Sequence, residues 1–352
     1  MATLYLTEQR ATVHKDAETL VVNIPADPQT GTEKRKVTVP LLKVDQVVVI
    51  GNVTVTTPAL HALLDNGVAV SFLDYHGEFK GQLAPALSKN APLRIAQHQV
   101  HHDLARRRAL AQAFVRGKLT NMRTLLMRTN RKRDDEDIVR AVASLKRVLD
   151  QLADAPLEPG MAADPDDRMG GRGDLFGLEG AGSAAYFGVF GRLLTQDLGF
   201  AGRVKRPPRD PVNALLSYGY TILTHKVASA VSTVGLDPYV GYLHGSQYGQ
   251  PALALDVVEE FRPVVVDSVV LTLLNNRSLT ADDFREELGV YRLTDAGRRT
   301  FFQRFEERLN TSVKHPVFGY SATYARCLEL QVRLVAKTVL GEIPAYEPFI
   351  VR

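Results

Sequence analysis

The chain has 352 residues, 43 basic against 39 acidic side chains, and a formal net charge of +4. Hydrophobic residues make up 45%, a globular composition that excludes wholesale disorder and low-complexity or collagen-like architecture, and the length predicts about two domains. A single cysteine, Cys327, excludes an internal disulfide framework and any cysteine-based zinc cluster.

From residue 3 to residue 79 the pattern is short and β-branched. Thr3-Leu4-Tyr5-Leu6, Leu20-Val21-Val22, Lys36-Val37-Thr38-Val39 and Val47-Val48-Val49-Ile50 read as strands. Ala26-Asp27-Pro28-Gln29-Thr30-Gly31 is turn chemistry suited to a hairpin tip. Thr57-Pro58 predicts a helix start with Thr57 as N-cap, and Asn66-Gly67 its end. Val68 to Leu73 resumes as a buried strand.

Near residue 90 the periodicity becomes helical. A long amphipathic segment over 93–153 is expected to break near 130–134, and the Pro-, Gly- and Asp-rich stretch 156–177 reads as a loop. Further helices are predicted over 178–194, 211–234, 253–274, 295–309 and 320–340. The fold class is therefore α+β: a β-rich N-terminal domain, 1–90, followed by a larger all-α domain, 91–352.

Several chemistries are absent from the sequence. There is no Gly-x-Ser-x-Gly elbow, no phosphate-binding Gly-x4-Gly-Lys-Ser/Thr loop and no His-Glu-x-x-His. Gly170-Gly171-Arg172-Gly173 fails as a dinucleotide fingerprint, because Phe176 stands at the third glycine position and no strand precedes it. No run reaches the roughly 18 uninterrupted apolar residues of a membrane span, and the first residues lack the basic start and apolar run of a signal peptide. A cytoplasmic protein with no membrane partner is expected.

Three positions carry candidate chemistry. Glu179 shares a helix face with Gly182, Ser183 and Tyr186, small neighbours that leave room for an ion; a first-turn glutamate favoured by the helix dipole is the plain alternative. His244 follows Gly235 and Pro238 in an interhelical loop, where an imidazole can ligate a metal or simply face solvent. Asp256, Glu259 and Glu260 place carboxylates three and four apart on a helix with strongly apolar flanks, which makes a solvated acidic stripe a less comfortable reading. Together they form an oxygen-rich set with one imidazole and no thiolate, suited to Mg²⁺ or Mn²⁺. Such ions bind phosphates, which points to phosphodiester chemistry. Ten basic residues from Arg106 to Arg133, with no acidic residue among them, and the cluster Arg203, Lys205, Arg206 and Arg209 add the footprint of a groove that follows a DNA backbone.

Taken in order, these motifs resemble the CRISPR-associated integrase family, Cas-one. The resemblance rests on Leu178-Glu179-Gly180 with Ala184-Ala185-Tyr186-Phe187, on Pro207-Pro208-Arg209-Asp210-Pro211-Val212-Asn213-Ala214-Leu215-Leu216-Ser217-Tyr218-Gly219-Tyr220, and on Gly241-Tyr242-Leu243-His244. It continues through Asp256-Val257-Val258-Glu259-Glu260-Phe261-Arg262-Pro263 with Asp267, and includes Gly117-Lys118-Leu119. It implies metal ligands Glu179, His244 and Glu259, with Asp256 a neighbouring acidic member. It also implies a homodimer formed through the β domain, a small ferredoxin-like partner (Cas-two), and insertion of foreign DNA spacers into a CRISPR array by transesterification. Beside these, Arg262 is placed to clamp a phosphate or to pair with Glu259, and Tyr218 and His225 share a helix face that could line the site or pack in the core. The alternatives are a non-catalytic nucleic-acid-binding scaffold and a metal-dependent phosphoesterase on small substrates.

Overall fold

The computed structural model describes residues 3–26, 33–75, 77, 79–85, 90–131, 133–155, 173–205, 207–245 and 248–351. Residues 27–31 of the predicted hairpin tip 26–31, Lys132, Arg206 and most of the 156–177 loop lie outside them. Two compact units divide at Ser88/Lys89.

The first unit holds two four-stranded sheets. β1 (Thr3–Leu6), β5 (Gln46–Ile50) and β7 (Ala69–Leu73) run parallel, with β8 (Phe79–Leu83) antiparallel at the edge of β7. β5 is buried along its whole length, which is why it reads as an unbroken apolar run. The second sheet has the order β4 (Arg35–Pro40), β3 (Thr19–Ile24), β2 (Thr12–Asp16) and β6 (Thr54–Val55). Helix α1 (Thr57–Asp65) covers the core of Val13, Leu20, Val22, Val47, Val49, Leu63 and Val70. Its N-cap is Thr56 rather than Thr57, and Pro58 falls in the first turn. Gly67, at φ +74°, provides the left-handed exit. β2, β6 and β8 were not expected: β2 and β8 mix Lys, His, Gln and Asp with apolar residues, and β6 is only two residues long, so their alternation is weak.

The second unit is mostly helical. The predicted long segment is three helices: α2 (Ala91–His102), α3 (Leu104–Asn130) and α4 (Glu136–Asp154). The additional break comes from Asp103, whose carboxylate caps α3 at Arg106 N (3.1 Å); Asp135 caps α4 in the same way. α5 (Gly173–Phe190) begins five residues before the predicted loop ends, in a turn that brings Asp174 onto buried Arg108. α6 (Pro211–Val234) is capped by Asp210 and ends on Gly235 at φ +103°. α7 (Ala252–Phe261) passes through a six-residue π-helical segment, Arg262–Asp267, into α8 (Ser268–Asn275). Pro263 has no N–H to offer the carbonyl one turn back, so the helix widens there, and Asn121 Nδ2 takes the Glu260 carbonyl at 2.8 Å.

An all-α domain is not what forms. Two hairpins interrupt it, β9 (Phe284–Glu287) with β10 (Val290–Leu293), and β11 (Ser312–Lys314) with β12 (Ser321–Thr323). The first turns on Leu288 and Gly289, both at positive φ. The second delays the predicted 320–340 helix, so that α10 spans Tyr324–Val339, after α9 (Asp295–Leu309). α3 packs against α4, α5 and α7 and forms the spine of the unit.

Candidate metal centre

Three elements converge on α3. α5 supplies Glu179, α7 supplies Glu259, and the loop after α6 supplies His244. The Lys118 ammonium of α3 is ion-paired with Glu179 Oε1 and lies 2.8 Å from Glu259 Oε2. Ser183 Oγ, one turn after Glu179, donates to the same Glu179 oxygen at 2.9 Å. His244 Nε2 stands 4.0 Å from Glu259 Oε1. The glutamate of α7 is buried, whereas Glu179 and His244 side chains are 22% and 25% exposed, so the cluster opens to solvent on their side.

Asp256 has a different part. It is fully buried, and its carboxylate accepts from three successive backbone N–H groups, those of Tyr242 (2.5 Å), Leu243 (3.0 Å) and His244 (2.8 Å). It also bonds His244 Nδ1 at 2.8 Å. With Nδ1–H donated to Asp256, the Nε2 lone pair is left facing the Glu259 carboxylate. The expected metal-ligating neighbour is thus the group that orients the histidine, one helical turn before Glu259.

Two acceptors 4.0 Å apart are too distant to share a proton and stand at the spacing of two ligands on one small divalent ion, about 3–4 Å. Glu259 Oε2 is buried with no described donor aimed at it in hydrogen-bond geometry, although Lys118 pairs with it by charge. Glu259 is shared by the cations Lys118 and Arg262, and Glu179 pairs with Lys118. This oxygen-and-imidazole donor set fits Mg²⁺ or Mn²⁺. Among the described residues no three His, Cys, Asp or Glu side chains stand together in a way that could hold a metal ion; the Lys118 ammonium pairs with the two glutamates instead.

The charges reinforce one another. Burial pushes the Glu259 carboxyl up, but Arg262, Lys118 and His244 outweigh it and bring the pKa down to about 2. Burial likewise pulls Lys118 down, and Glu259 and Glu179 more than offset it, leaving its pKa above the ordinary lysine value. Both groups are charged at neutral pH.

The other predicted residues separate. Arg262 donates to Glu259 Oε1 at 2.5 Å and lies over the Tyr220 ring, 4.8 Å from its centroid, so it braces the glutamate. Arg203 binds Asn213 Oδ1 and Ser217 Oγ and braces the start of α6, while Lys205 and Arg209 are exposed. Tyr218 packs its ring on Phe301 and Phe302 of α9, away from the glutamates. Burial draws His225 down to about 4, so at neutral pH it brings no positive charge to DNA. The basic run from Arg106 to Arg133 is not one solvated stripe: on α3, Arg106 caps carbonyls at the end of α10, Arg108 pairs with Asp174 and Arg116 with Glu347, and after it Arg133 holds the carbonyls of Arg192 and Leu193.

Residues 4–307 match the family described as "CRISPR associated protein Cas1". The chain belongs to the Cas1 family. It is 38% identical over 349 residues to the CRISPR-associated endonuclease Cas1 3 of Thermus thermophilus, covering 99% of this chain and 97% of that one. Its fold is shared with a casposase solved bound to its integration product (TM-score 0.81, 24% identity, 99% of this chain and 93% of that one). It is also similar to a Cas6-RT-Cas1–Cas2 complex (TM-score 0.77, 25% identity, 100% of this chain and 36% of that one). Lys118, Tyr220 and Asp267, which belong to the family motifs, and Phe176 are further neighbours of the site, given no role from the sequence. The Phe176 ring meets His244 edge-on at 6.2 Å, and Tyr220 OH donates to Asp267 at 2.6 Å beneath Arg262. For Lys118 a signal was available: it falls on the buried stripe of α3 with Ala111, Val115 and Met122, where an unpaired charge is untenable.

Proposed function

We propose that this chain is a metal-dependent DNA endonuclease and integrase that inserts short foreign DNA segments into a CRISPR array. The observation that carries the reading is the His244 Nε2 lone pair, fixed by Asp256, facing Glu259 at 4.0 Å with Glu179 on the same ammonium. Family membership and the endonuclease and integration relatives support it. The small Cas2-type partner rests on the Cas1–Cas2 neighbour; the pairing of two copies through the β-rich unit rests on the family likeness.

In integration the oxygen of a DNA 3′-hydroxyl attacks a phosphorus of the target. The bond from that phosphorus to the target's own 3′-oxygen breaks, and this oxygen leaves and takes up a proton. One phosphodiester replaces another, so no nucleotide is consumed, in keeping with the absence of a phosphate-binding loop. Water in place of the hydroxyl gives cleavage at the same site. A bound Mg²⁺ or Mn²⁺ supplies charge that neutralises the phosphate oxygens and acidifies the attacking hydroxyl. Glu179, His244 and Glu259 hold the position; Asp256 sets the imidazole tautomer; Arg262, stacked on Tyr220, keeps the Glu259 carboxylate ionised and in place.

Joining of a short duplex to a supercoiled repeat plasmid, with and without the small partner, tests the reading. Glu179→Ala, His244→Ala and Glu259→Ala are each expected to abolish joining while DNA binding persists. Full joining by His244→Ala would overturn the assignment.

A further inference from the structure

The cluster that the proposed function needs for a cation already contains one. Lys118 is a buried ammonium at the centre of the site, paired with Glu179 Oε1 and 2.8 Å from Glu259 Oε2. These are carboxylates from two different helices, and no other described residue touches both by charge. The backbone beneath Lys118 is packed closely against its neighbours. A Cβ built at Gly117 would fall 2.8 Å from Pro348 Cβ and 2.9 Å from Glu260 Cγ, and one at Gly182 of α5 would fall 2.5 Å from Leu119 Cδ2. Helix α3 is therefore wedged against its neighbours on both sides of the lysine. Its side chain is the part free to move, a four-carbon stem whose ammonium is a compact point charge.

We propose that Lys118 is a built-in counter-ion that holds the place of the divalent cation, keeping Glu179 and Glu259 together in the metal-free protein and being displaced when the metal enters. The proposal rests on the metal-site reading above and goes beyond it by making a residue of α3 the determinant of metal affinity. A metal bound at Glu179 and Glu259 takes over both partners of the ammonium, so each binding event includes the breaking of two ion pairs. Without the lysine the two carboxylates repel across a buried gap, and the metal is the remedy rather than the competitor. Loss of the lysine thus destabilises the empty site and tightens the loaded one.

The test is Mn²⁺ binding to the full chain without DNA, by isothermal titration, together with melting in EDTA and in Mn²⁺, for wild type, Lys118→Gln, Lys118→Arg and Glu259→Gln. Lys118→Gln is expected to bind Mn²⁺ about tenfold more tightly or better, to melt below wild type in EDTA, and to gain more from Mn²⁺ than wild type does. Lys118→Arg, which retains the charge, is expected to bind no more tightly than wild type. Should Lys118→Gln fold only with metal, release of Mn²⁺ from the loaded, folded protein into EDTA serves as the readout; release faster than from wild type contradicts the proposal. Wild-type binding that depends on Glu259, with Lys118→Gln no tighter, overturns the counter-ion role and leaves the metal site standing. Wild-type binding indifferent to Glu259→Gln overturns both.

Discussion

Asp256 controls a side chain that the metal would touch without itself facing the metal position. Its two oxygens take four donors, three of them backbone N–H groups of the loop that delivers His244. The carboxylate therefore fixes the loop's path and the imidazole's tautomer together. Asp256→Asn turns an NH₂ toward backbone N–H donors and removes the charge that holds Nδ1–H. Mn²⁺ affinity and strand joining are expected to fall by about 10–100-fold, with a lower melting temperature; unchanged Mn²⁺ binding would show that the imidazole is oriented by something else. At this scale the acidic helix stood out by its apolar flanks, whereas Glu179 was marked only by small neighbours and His244 only by its loop, and each of these two kept a plain alternative. The division of labour between Asp256 and Glu259 was not legible, because helical spacing places both near one face and only the loop's return onto α7 distinguishes them. Lys118 was hidden by its company, one cation in a run of ten basic residues.

The elements show which local signals survive packing. α6 and α9 form over the predicted residues because Asp210 and Thr294 cap their starts and Gly235 ends the former. The 253–274 prediction missed the π-helical segment: Pro263 marks the place, but the widening depends on Asn121 and Arg308 taking the carbonyls of Glu260 and Val264 from outside the helix. The hairpins in the helical unit were missed because strands of three or four residues carry little periodicity. Within α6, His225 makes a pH-dependent contribution. Burial lowers its pKa from 6.5 to about 4, so the unfolded chain binds the proton more readily over that interval. Its contribution to stability is present above pH 6.5 and is lost as pH falls toward 4. Urea midpoints between pH 7.5 and 4.5 are expected to decline less steeply for His225→Gln than for wild type. Equal slopes would place the acid sensitivity elsewhere.

For the whole molecule, the distribution of positive charge matters more than its amount. A net +4 spread over 352 residues says little, and much of the basic run on α3 is spent tying α3 to other parts of its own unit. Among the described residues of the second cluster, Lys205 and Arg209, just before α6, are the exposed cations available to a DNA backbone. Replacing either with alanine is expected to weaken duplex binding across sequences and to reduce the slope of log affinity against log salt by about one, with the melting temperature unchanged. An unaltered slope would move the DNA path elsewhere on the surface. The β-then-α order of the units was legible from the change in periodicity near residue 90, since period-two and helical patterning need only local sequence. Convergence of Glu179, His244 and Glu259 required long-range packing around α3; residue chemistry grouped the candidates, and the family likeness picked out these three.

That convergence is measured most directly by electron spin echo spectroscopy of Mn²⁺ bound to the chain with ¹⁵N-labelled histidine. The account predicts one saturable Mn²⁺ coupled to one imidazole nitrogen, with the coupling lost in His244→Gln and the ion itself lost in Glu259→Gln. Mn²⁺ that binds with no histidine coupling, or whose coupling survives His244→Gln, would contradict it.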